Sequence, residues 1–326
     1  MYLNEMTNDA KSTFLLFTEQ IDQALAVLEQ GEEPSNTILL NEMLSNQEEV
    51  LDAGSLLARC EQIAKRYEPS QRIVRSIHHF ACTGGSLISK CINALPGVCV
   101  ISEVHPLARR HLERKKQTFT PTDLIVQSYF AGVPDVNELS LEMFKEGIRT
   151  IANHAEKKGF YPIFREHSHT DYCVGDDPLA LNLFSKMQQP DVEHKRVVTV
   201  RNPIDSFASL VDNGWVHHNP GSFDEYCRRY LLFLSNFEER EIFRYEDFVA
   251  DPDREMTKIA AALSVPHNEL FGDIFDFRLI SGDSGRKASR IGARPARDGI
   301  DVIRSEANSS KFYGRFTEKY GLKYST

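Results

Sequence analysis

The pattern of apolar and polar positions changes near residue 70. Before that point, apolar residues recur three or four positions apart in two stretches, which "GEEPSN" separates. This spacing predicts an N-terminal helical segment over residues 1–70, either a helical hairpin or three helices. The segment is a candidate surface for homo-oligomerisation or for covering a substrate, and simple packing on the following domain is the alternative.

From Arg72 onward, predicted strands alternate with predicted helices. "RIVRSIHHF" has the β-branched and apolar content of a buried strand, "SLISKCINAL" has one apolar helical face, and "VCVIS" follows as a second strand. "FYPIF" and "RVVTV" are further strand candidates. The pattern predicts an α/β domain over residues 71–326, with a central parallel sheet flanked by helices. Ligands bind at the carboxyl ends of such strands, so the loops at 81–86, 102–106, 165–171 and 201–209 are expected to meet at one cleft.

Composition narrows the partners. The chain has 326 residues and a formal net charge of −9, which argues against nucleic acid as a partner, because binding to phosphate backbones depends on clustered Lys and Arg. No apolar run reaches membrane-spanning length, and "MYLNEMTNDAKSTFLLF" lacks the basic start of a signal peptide, so a cytoplasmic protein is expected. The six cysteines form no CxxC pair, which favours free thiols in a reducing compartment.

Two loops have the chemistry of anion sites. In "ACTGGS", Gly84 and Gly85 permit close backbone approach, and Thr83 and Ser86 add hydroxyl groups at the start of a helix. The loop lacks the lysine of a Walker A motif, and an ordinary strand-turn-helix corner is the alternative. In "VVTVRNPIDSFASLV", Arg201 ends a strand and Asn202 is a plausible helix cap before a proline. Arg201 is therefore a candidate phosphate ligand, and an ordinary capped helix is the alternative.

These stretches resemble the sulfotransferases that use 3′-phosphoadenosine 5′-phosphosulfate (PAPS), particularly the bacterial type with a P-loop-like fold. Those enzymes carry [ST]-G-[TG]-[TS] for the 5′-phosphate and R-[ND]-P-x-[DE]-x-x-x-S for the 3′-phosphate, and this chain matches both. "FRYEDFVADPDREMTKIAAAL" also resembles a stretch common in the family, where a Y-E-D run opens a late helix. The resemblance covers about residues 72–326. It implies PAPS as co-substrate, no required metal, and a donor site formed by Thr83, Gly84, Gly85, Ser86, Leu87, Arg201 and Ser209.

The resemblance also implies catalytic residues. Arg165 and His167 end a predicted strand in "YPIFREHSHTD", much like the K-T-H of cytosolic sulfotransferases, so His167 is the expected base and Arg165 the expected sulfonate ligand. Glu103 in "VISEVHP" is a competing base, because glycosaminoglycan sulfotransferases use a glutamate in a similar position. The alternatives are polar loop roles for the histidine, and for Glu103 a solvated position or a partner such as Arg109 or Arg110.

Cys82 departs from the family pattern, which has a basic residue before the hydroxyl and glycines. Lys90, one turn along the helix from Ser86, and Arg286, in the segment "SGDSGRKASRIGARPAR", are the candidates to replace that charge. A solvated helix lysine and a flexible basic loop are the alternatives. Cys82 itself is interpreted as a small buried thiol.

The sequence thus predicts a sulfotransferase that moves a sulfuryl group from PAPS to a hydroxyl of a carbohydrate, a glycolipid or another small molecule. One alternative is a non-catalytic protein that binds 3′-phosphoadenosine 5′-phosphate (PAP) on the same fold, which the missing loop lysine suggests. A P-loop kinase is the weakest alternative.

Overall fold

The predicted strands pair into one parallel sheet in the computed structural model of the chain. The structure describes residues 72–108, 112, 119–178, 192–282, 290–294, 297 and 299–321, all of which belong to one compact unit of residues 70–326. The predicted N-terminal helices lie outside the described residues.

The described strands form a five-stranded sheet and a short two-stranded ribbon. Their order in the large sheet is β2-β3-β1-β5-β7, with every neighbouring pair parallel, and β4 pairs with β6 in the ribbon. The strands are β1 (Arg72–His79), β2 (Val98–Val104), β3 (Tyr161–Glu166), β4 (Val174–Gly175), β5 (Val192–Val200), β6 (His217–His218) and β7 (Ile242–Arg244).

Helices connect and cover these strands. Two 3₁₀ turns, Glu239–Glu241 and Phe275–Phe277, supplement them. The described helices are α1 (Gly85–Asn93), α2 (Leu124–Ala131), α3 (Val136–Glu156), α4 (His169–Tyr172), α5 (Pro203–Asp212), α6 (Phe223–Leu234), α7 (Tyr245–Ala250), α8 (Pro252–Leu263), α9 (Phe271–Ile274), α10 (Ile300–Ser309) and α11 (Lys311–Tyr320).

The large sheet is buried on both faces. Val197 and Val198 are adjacent on β5 and both fully buried, yet they belong to different apolar clusters, because successive side chains of a strand point to opposite faces. Val198 packs in the cluster that includes α5 and α6, and Val197 packs in the cluster that includes α1 and α8. This two-sided burial accounts for the run of buried residues at 197–200, and it confirms the predicted α/β class.

Strand order determines where a ligand site can form. β1 lies between β3 and β5, so the chain leaves it toward β3 and β2 on one side and returns to β5 and β7 on the other. Crevices form outside the carboxyl ends of parallel strands at such a reversal. Within the described ranges, no helix combines the length and apolar content needed to cross a membrane.

Candidate functional site

The turn after β1 has an unusual backbone that its own side chains hold. Cys82 and Gly84 both adopt positive φ, 65° and 86°. The Thr83 hydroxyl and amide both donate to the carbonyl oxygen of Phe80, at 2.8 and 3.3 Å, and Thr83 is fully buried. Its hydroxyl therefore shapes the turn, and the amides at the start of α1 are the groups left to face an anion.

The two glycines of the turn are required by close packing. A Cβ atom on Gly84 would lie 2.2 Å from the Tyr245 ring, and one on Gly85 would lie 2.4 Å from the ring of His79. Neither ring atom belongs to a freely movable chain end, so larger residues do not fit. The glycines let the first turn of α1 pack closely on both rings. From the sequence, these glycines were expected to permit close approach to a ligand, and their packing on Tyr245 and His79 was not predicted.

The turn opens into a cavity of about 610 Å³. Residues from the ends of β1, β2, β3, β5 and β7 contribute to its wall, as expected for the carboxyl edge of a parallel sheet. Of the residues that the sequence singled out for the donor or for catalysis, the wall includes Thr83, Gly84, Gly85, Ser86, Leu87, Lys90, Glu103, Arg165, His167 and Arg201.

Arg201 lies on the β5 side of the cavity and is held in place by aromatic residues. Its guanidinium carbon is 4.8 Å from the ring centroid of Tyr245, a cation–π contact, and its amide donates to the Tyr230 hydroxyl at 3.0 Å. The predicted cap is confirmed: the Asn202 side chain accepts from the Ile204 amide at 2.9 Å, and Pro203 is the first residue of α5. Tyr245 therefore touches both Gly84 and Arg201 and links the two anion elements.

Ser209, the other residue expected to bind the 3′-phosphate, is buried on α5 and is not part of the cavity wall. Its carbonyl oxygen accepts a hydrogen bond from the Asn213 side chain. The phosphate-binding role of Ser209 remains a prediction.

Arg165 lies on the β3 side of the cavity, almost completely buried, with a side chain 2% exposed. Its guanidinium donates to the Ser102 hydroxyl at 2.8 Å, the Ser281 carbonyl oxygen at 3.0 Å and the Ser86 hydroxyl at 3.3 Å. It also forms an ion pair with Glu103 at 2.5 Å. A buried guanidinium oriented by this many partners offers a fixed positive charge next to the start of α1.

Glu103 lies between Arg165 and His167. Its Oε1 pairs with Arg165, and its Oε2 is 3.6 Å from the Nε2 of His167, longer than a hydrogen bond. Burial raises the pKa of Glu103, and the positive charge of Arg165 acts in the opposite direction. Glu103 has positive φ, 59°, and its carboxylate packs directly against Gly282, where an added Cβ would lie 2.2 Å from its Oε1. The partners offered from sequence, Arg109 and Arg110, lie outside the described residues.

His167 exposes about a third of its side chain, 36%, to the cavity. Its Nδ1 is 2.8 Å from the Thr170 hydroxyl, so Nε2 is the nitrogen that faces Glu103 and the open space. Burial lowers the pKa of His167 to about 4, helped by the nearby His105 and Arg165 and opposed by Asp171 and Glu166. The imidazole is therefore neutral at neutral pH and able to accept a proton.

Cys82 and two basic side chains line the same cavity. Cys82 itself packs against the apolar cluster on the α6 side of the sheet, as expected for a small thiol, and the described cysteines are free. Lys90 lines the cavity, and so does Arg294 from the same glycine-rich basic segment as Arg286. Arg286 lies outside the described residues.

Sequence reasoning gave no role to several residues of the cavity wall. One is Tyr245, the tyrosine of the Y-E-D run; its contact with Gly84 joins two parts of the chain that are far apart in sequence, so the run alone did not predict it. The set also includes His79, Ala81, His169, Trp215, His217, Phe275, Gly282 and Arg294. The signals that were available are their positions next to the predicted loops. Across the described ranges, no group of three or more His, Cys, Asp or Glu side chains is arranged to hold a metal ion.

No protein-family model matches the chain, and no curated protein sequence matches it. Solved structures to which it is similar include a sulfotransferase domain from the curacin biosynthetic pathway, at 13% identity and a TM-score of 0.43 over 78% of this chain and 100% of that one. The sulfotransferase domain of the Synechococcus PCC 7002 olefin synthase gives 13% identity and a TM-score of 0.42 over 78% and 97%.

Mouse sulfotransferase SULT7A1, crystallised with PAP, gives 12% identity and a TM-score of 0.40 over 77% of this chain and 89% of that one. All three are sulfotransferases or sulfotransferase domains.

Proposed function

We propose that the chain is a PAPS-dependent sulfotransferase that transfers a sulfuryl group to a hydroxyl of a carbohydrate, a glycolipid or another small molecule. One observation carries this proposal: the Thr83–Leu87 element, Arg201 and the Arg165-x-His167 pair all line the same cavity. A donor with phosphates at both the 5′ and 3′ positions needs two anion sites on either side of a nucleoside, and this cavity offers both.

The donor fits the cavity with its two phosphates on different strands. The amides at the start of α1 face the 5′-phosphosulfate, where the helix dipole favours negative charge. Arg201 binds the 3′-phosphate from the end of β5, where the Tyr245 ring holds its guanidinium. Lys90 and Arg294 add positive charge near the phosphates, in place of the basic residue that Cys82 replaces.

His167 serves as the base in this proposal. Its Nε2 accepts the proton of the acceptor hydroxyl while that oxygen forms a bond to sulfur. The bond between sulfur and the 5′-phosphate oxygen breaks, and its electron pair leaves with PAP. Glu103 is less suited to proton transfer in this geometry, because its Oε1 is occupied by Arg165 and its Oε2 faces His167.

Arg165 stabilises the charge that develops on the transferred sulfonate. Its buried guanidinium contacts Ser86 at the start of α1, so it lies between the donor element and the base. Glu103 then orients both Arg165 and His167. Positioning and fixed charge account for the rate in such a site.

A calorimetric titration of PAP against ADP tests the donor assignment. We expect the protein to bind PAP more tightly than ADP, because only PAP carries a 3′-phosphate. Arg201→Ala should weaken PAP binding by about 10- to 100-fold, the cost of one charge-assisted contact, and leave ADP binding nearly unchanged. Arg240→Ala is the control, because Arg240 is a largely exposed arginine paired with Glu238. Equal affinity for PAP and ADP would contradict the proposal.

Turnover of labelled PAPS with pools of hydroxyl acceptors tests the enzymatic half. Label transfer that Arg165→Met abolishes supports a sulfotransferase. If PAP binds but no label reaches any acceptor pool, and Arg165→Met leaves PAP binding unchanged, the non-catalytic alternative is favoured instead.

A further inference from the structure

The cavity has two chemically different halves, which the order of the strands separates. β1 and its glycine turn lie in the middle. Arg201 and Tyr245 come from β5 and from the start of α7 just after β7, on one side of the turn, whereas Glu103 and Arg165 come from β2 and β3 on the other. The donor's nucleoside belongs to the β5 side, which leaves the β2–β3 side for a second ligand.

Imidazole rings continue from the β3 side toward the outside of the cavity. The ring centroids of His167 and His169 are 6.1 Å apart, and those of His169 and His217 are 5.6 Å apart in an edge-to-face arrangement. Trp215, two residues before His217, lines the same cavity with 38% of its surface exposed. We refer to Trp215, His169 and His217 as the imidazole–indole wall.

A buried arginine builds the support for this wall. Arg229 on α6 is fully buried and ion-paired to Glu225 at 2.6 Å. Its guanidinium donates to the carbonyl oxygens of Tyr172, Val174, Gly175, Asp176 and Asn219, at distances from 2.6 to 3.4 Å. These carbonyls belong to the end of α4, to β4 and its next residue, and to the residue after β6. One side chain thus fixes the backbone next to both His169 and His217.

The chemistry of the wall selects among acceptors. Each imidazole can both donate and accept a hydrogen bond, and the indole offers a flat apolar face. Hydroxyl groups and the C–H face of a sugar ring match this combination. An apolar alcohol could contact the indole face but could not form hydrogen bonds with the imidazoles, so it would gain only part of what this wall offers. The basic side chains in the wall of the same cavity, Lys90, Arg165 and Arg294, also disfavour a cationic acceptor.

We infer that the imidazole–indole wall is the acceptor subsite, and that its ligand is a sugar ring that stacks on Trp215 and presents a hydroxyl to His167. This inference rests on the proposed function for the position of the transferred group. Among the proposed acceptors, which are carbohydrates, glycolipids and other small molecules, it selects those that carry a pyranoside ring.

Trp215 is the only tryptophan in the chain, so its fluorescence reports directly on this wall. The test titrates the protein, both with and without saturating PAP, with cellotriose, chitotriose and a β-linked galactotriose, and separately with cyclohexanol. We expect a saturable change of tryptophan emission with at least one trisaccharide, at lower concentration than with cyclohexanol. His217→Ala should weaken that saccharide about five- to tenfold, the effect of one lost hydrogen bond. His154→Ala is the matched control, because His154 is an exposed histidine on α3.

The outcomes separate the inference from the proposed function. If PAP binds by calorimetry but no trisaccharide alters the emission, or if cyclohexanol saturates at lower concentration, the acceptor inference is overturned and the donor site remains. If a trisaccharide saturates the emission change and His217→Ala weakens it, the subsite is supported, even where PAP fails to bind and the proposed donor is wrong.

Discussion

Cys82 stands where the motif that the turn resembles has a basic residue. Its side chain packs on the apolar cluster beneath the turn, and its backbone takes the positive φ that the turn needs. Positive charge then comes from other elements: Lys90 on α1, Arg294 from a late segment, and Arg165 on β3 all line the same cavity. Charge in a closed cavity acts over several ångströms, so its source along the sequence matters less than its position.

The lowered pKa of His167 predicts an unusual pH profile. Burial, His105 and Arg165 lower the pKa of His167 to about 4, so the neutral, basic form dominates well below the ordinary histidine range. We expect kcat/KM for sulfuryl transfer to stay level through pH 6 and to fall as pH approaches about 4. His167→Ala should lower kcat by about 10²- to 10⁴-fold without changing PAP affinity. The measurement is labelled PAPS turnover against pH.

Glu103→Gln is the comparison for that profile. If Glu103 were the base, its raised pKa would make the rate fall at low pH, at a pH above the usual pKa of a glutamate. With His167 as the base, the fall of kcat/KM near pH 4 persists in Glu103→Gln, at a reduced rate. If the fall disappears in Glu103→Gln, Glu103 is the base. A fall near the ordinary histidine pKa would contradict the lowered pKa of His167.

The junction of β1 with α1 predicts a strict requirement for glycine. Gly84→Ala places a Cβ 2.2 Å from the Tyr245 ring at a φ of 86°, so the ring and the turn must both shift. We expect a lower melting temperature together with loss of PAP binding, because Tyr245 also holds Arg201. Gly147→Ala is the control: Gly147 lies within α3 with open space around it, and alanine should stabilise the helix by about 0.5–1 kcal/mol. Unchanged PAP affinity in Gly84→Ala would contradict this packing argument.

The β4–β6 ribbon depends on Arg229 more than on its own pairing, since each strand has two residues. Arg229→Met leaves Glu225 without its buried partner and leaves the backbone carbonyls without a donor. We expect a loss of about 3–5 kcal/mol in the free energy of unfolding by urea. Arg228→Met is the matched control, because Arg228 pairs with the same Glu225 but is 35% exposed, and it should cost at most about 1 kcal/mol. Similar losses in the two variants would argue against a special role for the buried arginine.

The elements differ in how far the sequence could predict them. β1 and the second half of β5 are buried on both faces and contain apolar residues such as Val74, Ile77, Val197 and Val198, and Asn202-Pro203 marks the start of α5; these predictions are confirmed. The β4–β6 ribbon is too short to show any period. The bonds of Arg229 go to backbone carbonyls, which leave no mark on side-chain patterns. The sequence therefore predicted the sheet and its loops and missed the ribbon that carries His217.

At the scale of the whole molecule, the candidate site also has parts that the sequence predicted and parts that it did not. Its donor elements are local motifs and were predicted from adjacent residues. The contacts among Glu103, Arg165 and His167 join β2 to β3, and the contacts of Tyr245 join β7 to β1 and β5. Such contacts depend on the order of strands in the sheet, which one sequence does not specify. The same order accounts for a basic cavity in a chain whose net charge is −9, because the few inward-facing cations gather at one edge.

The domain boundary gives a final prediction. Every residue of the cavity wall lies within residues 70–326, so a truncated chain of those residues should bind PAP with an affinity within about twofold of the full chain. Calorimetry on both chains measures this. Sedimentation of the same two samples tests the candidate role of residues 1–69: if they mediate homo-oligomerisation, the full chain sediments as an oligomer and the truncated chain as a monomer. Loss of PAP binding on truncation, with the truncated chain still folded by circular dichroism, would show that residues 1–69 contribute to the donor site.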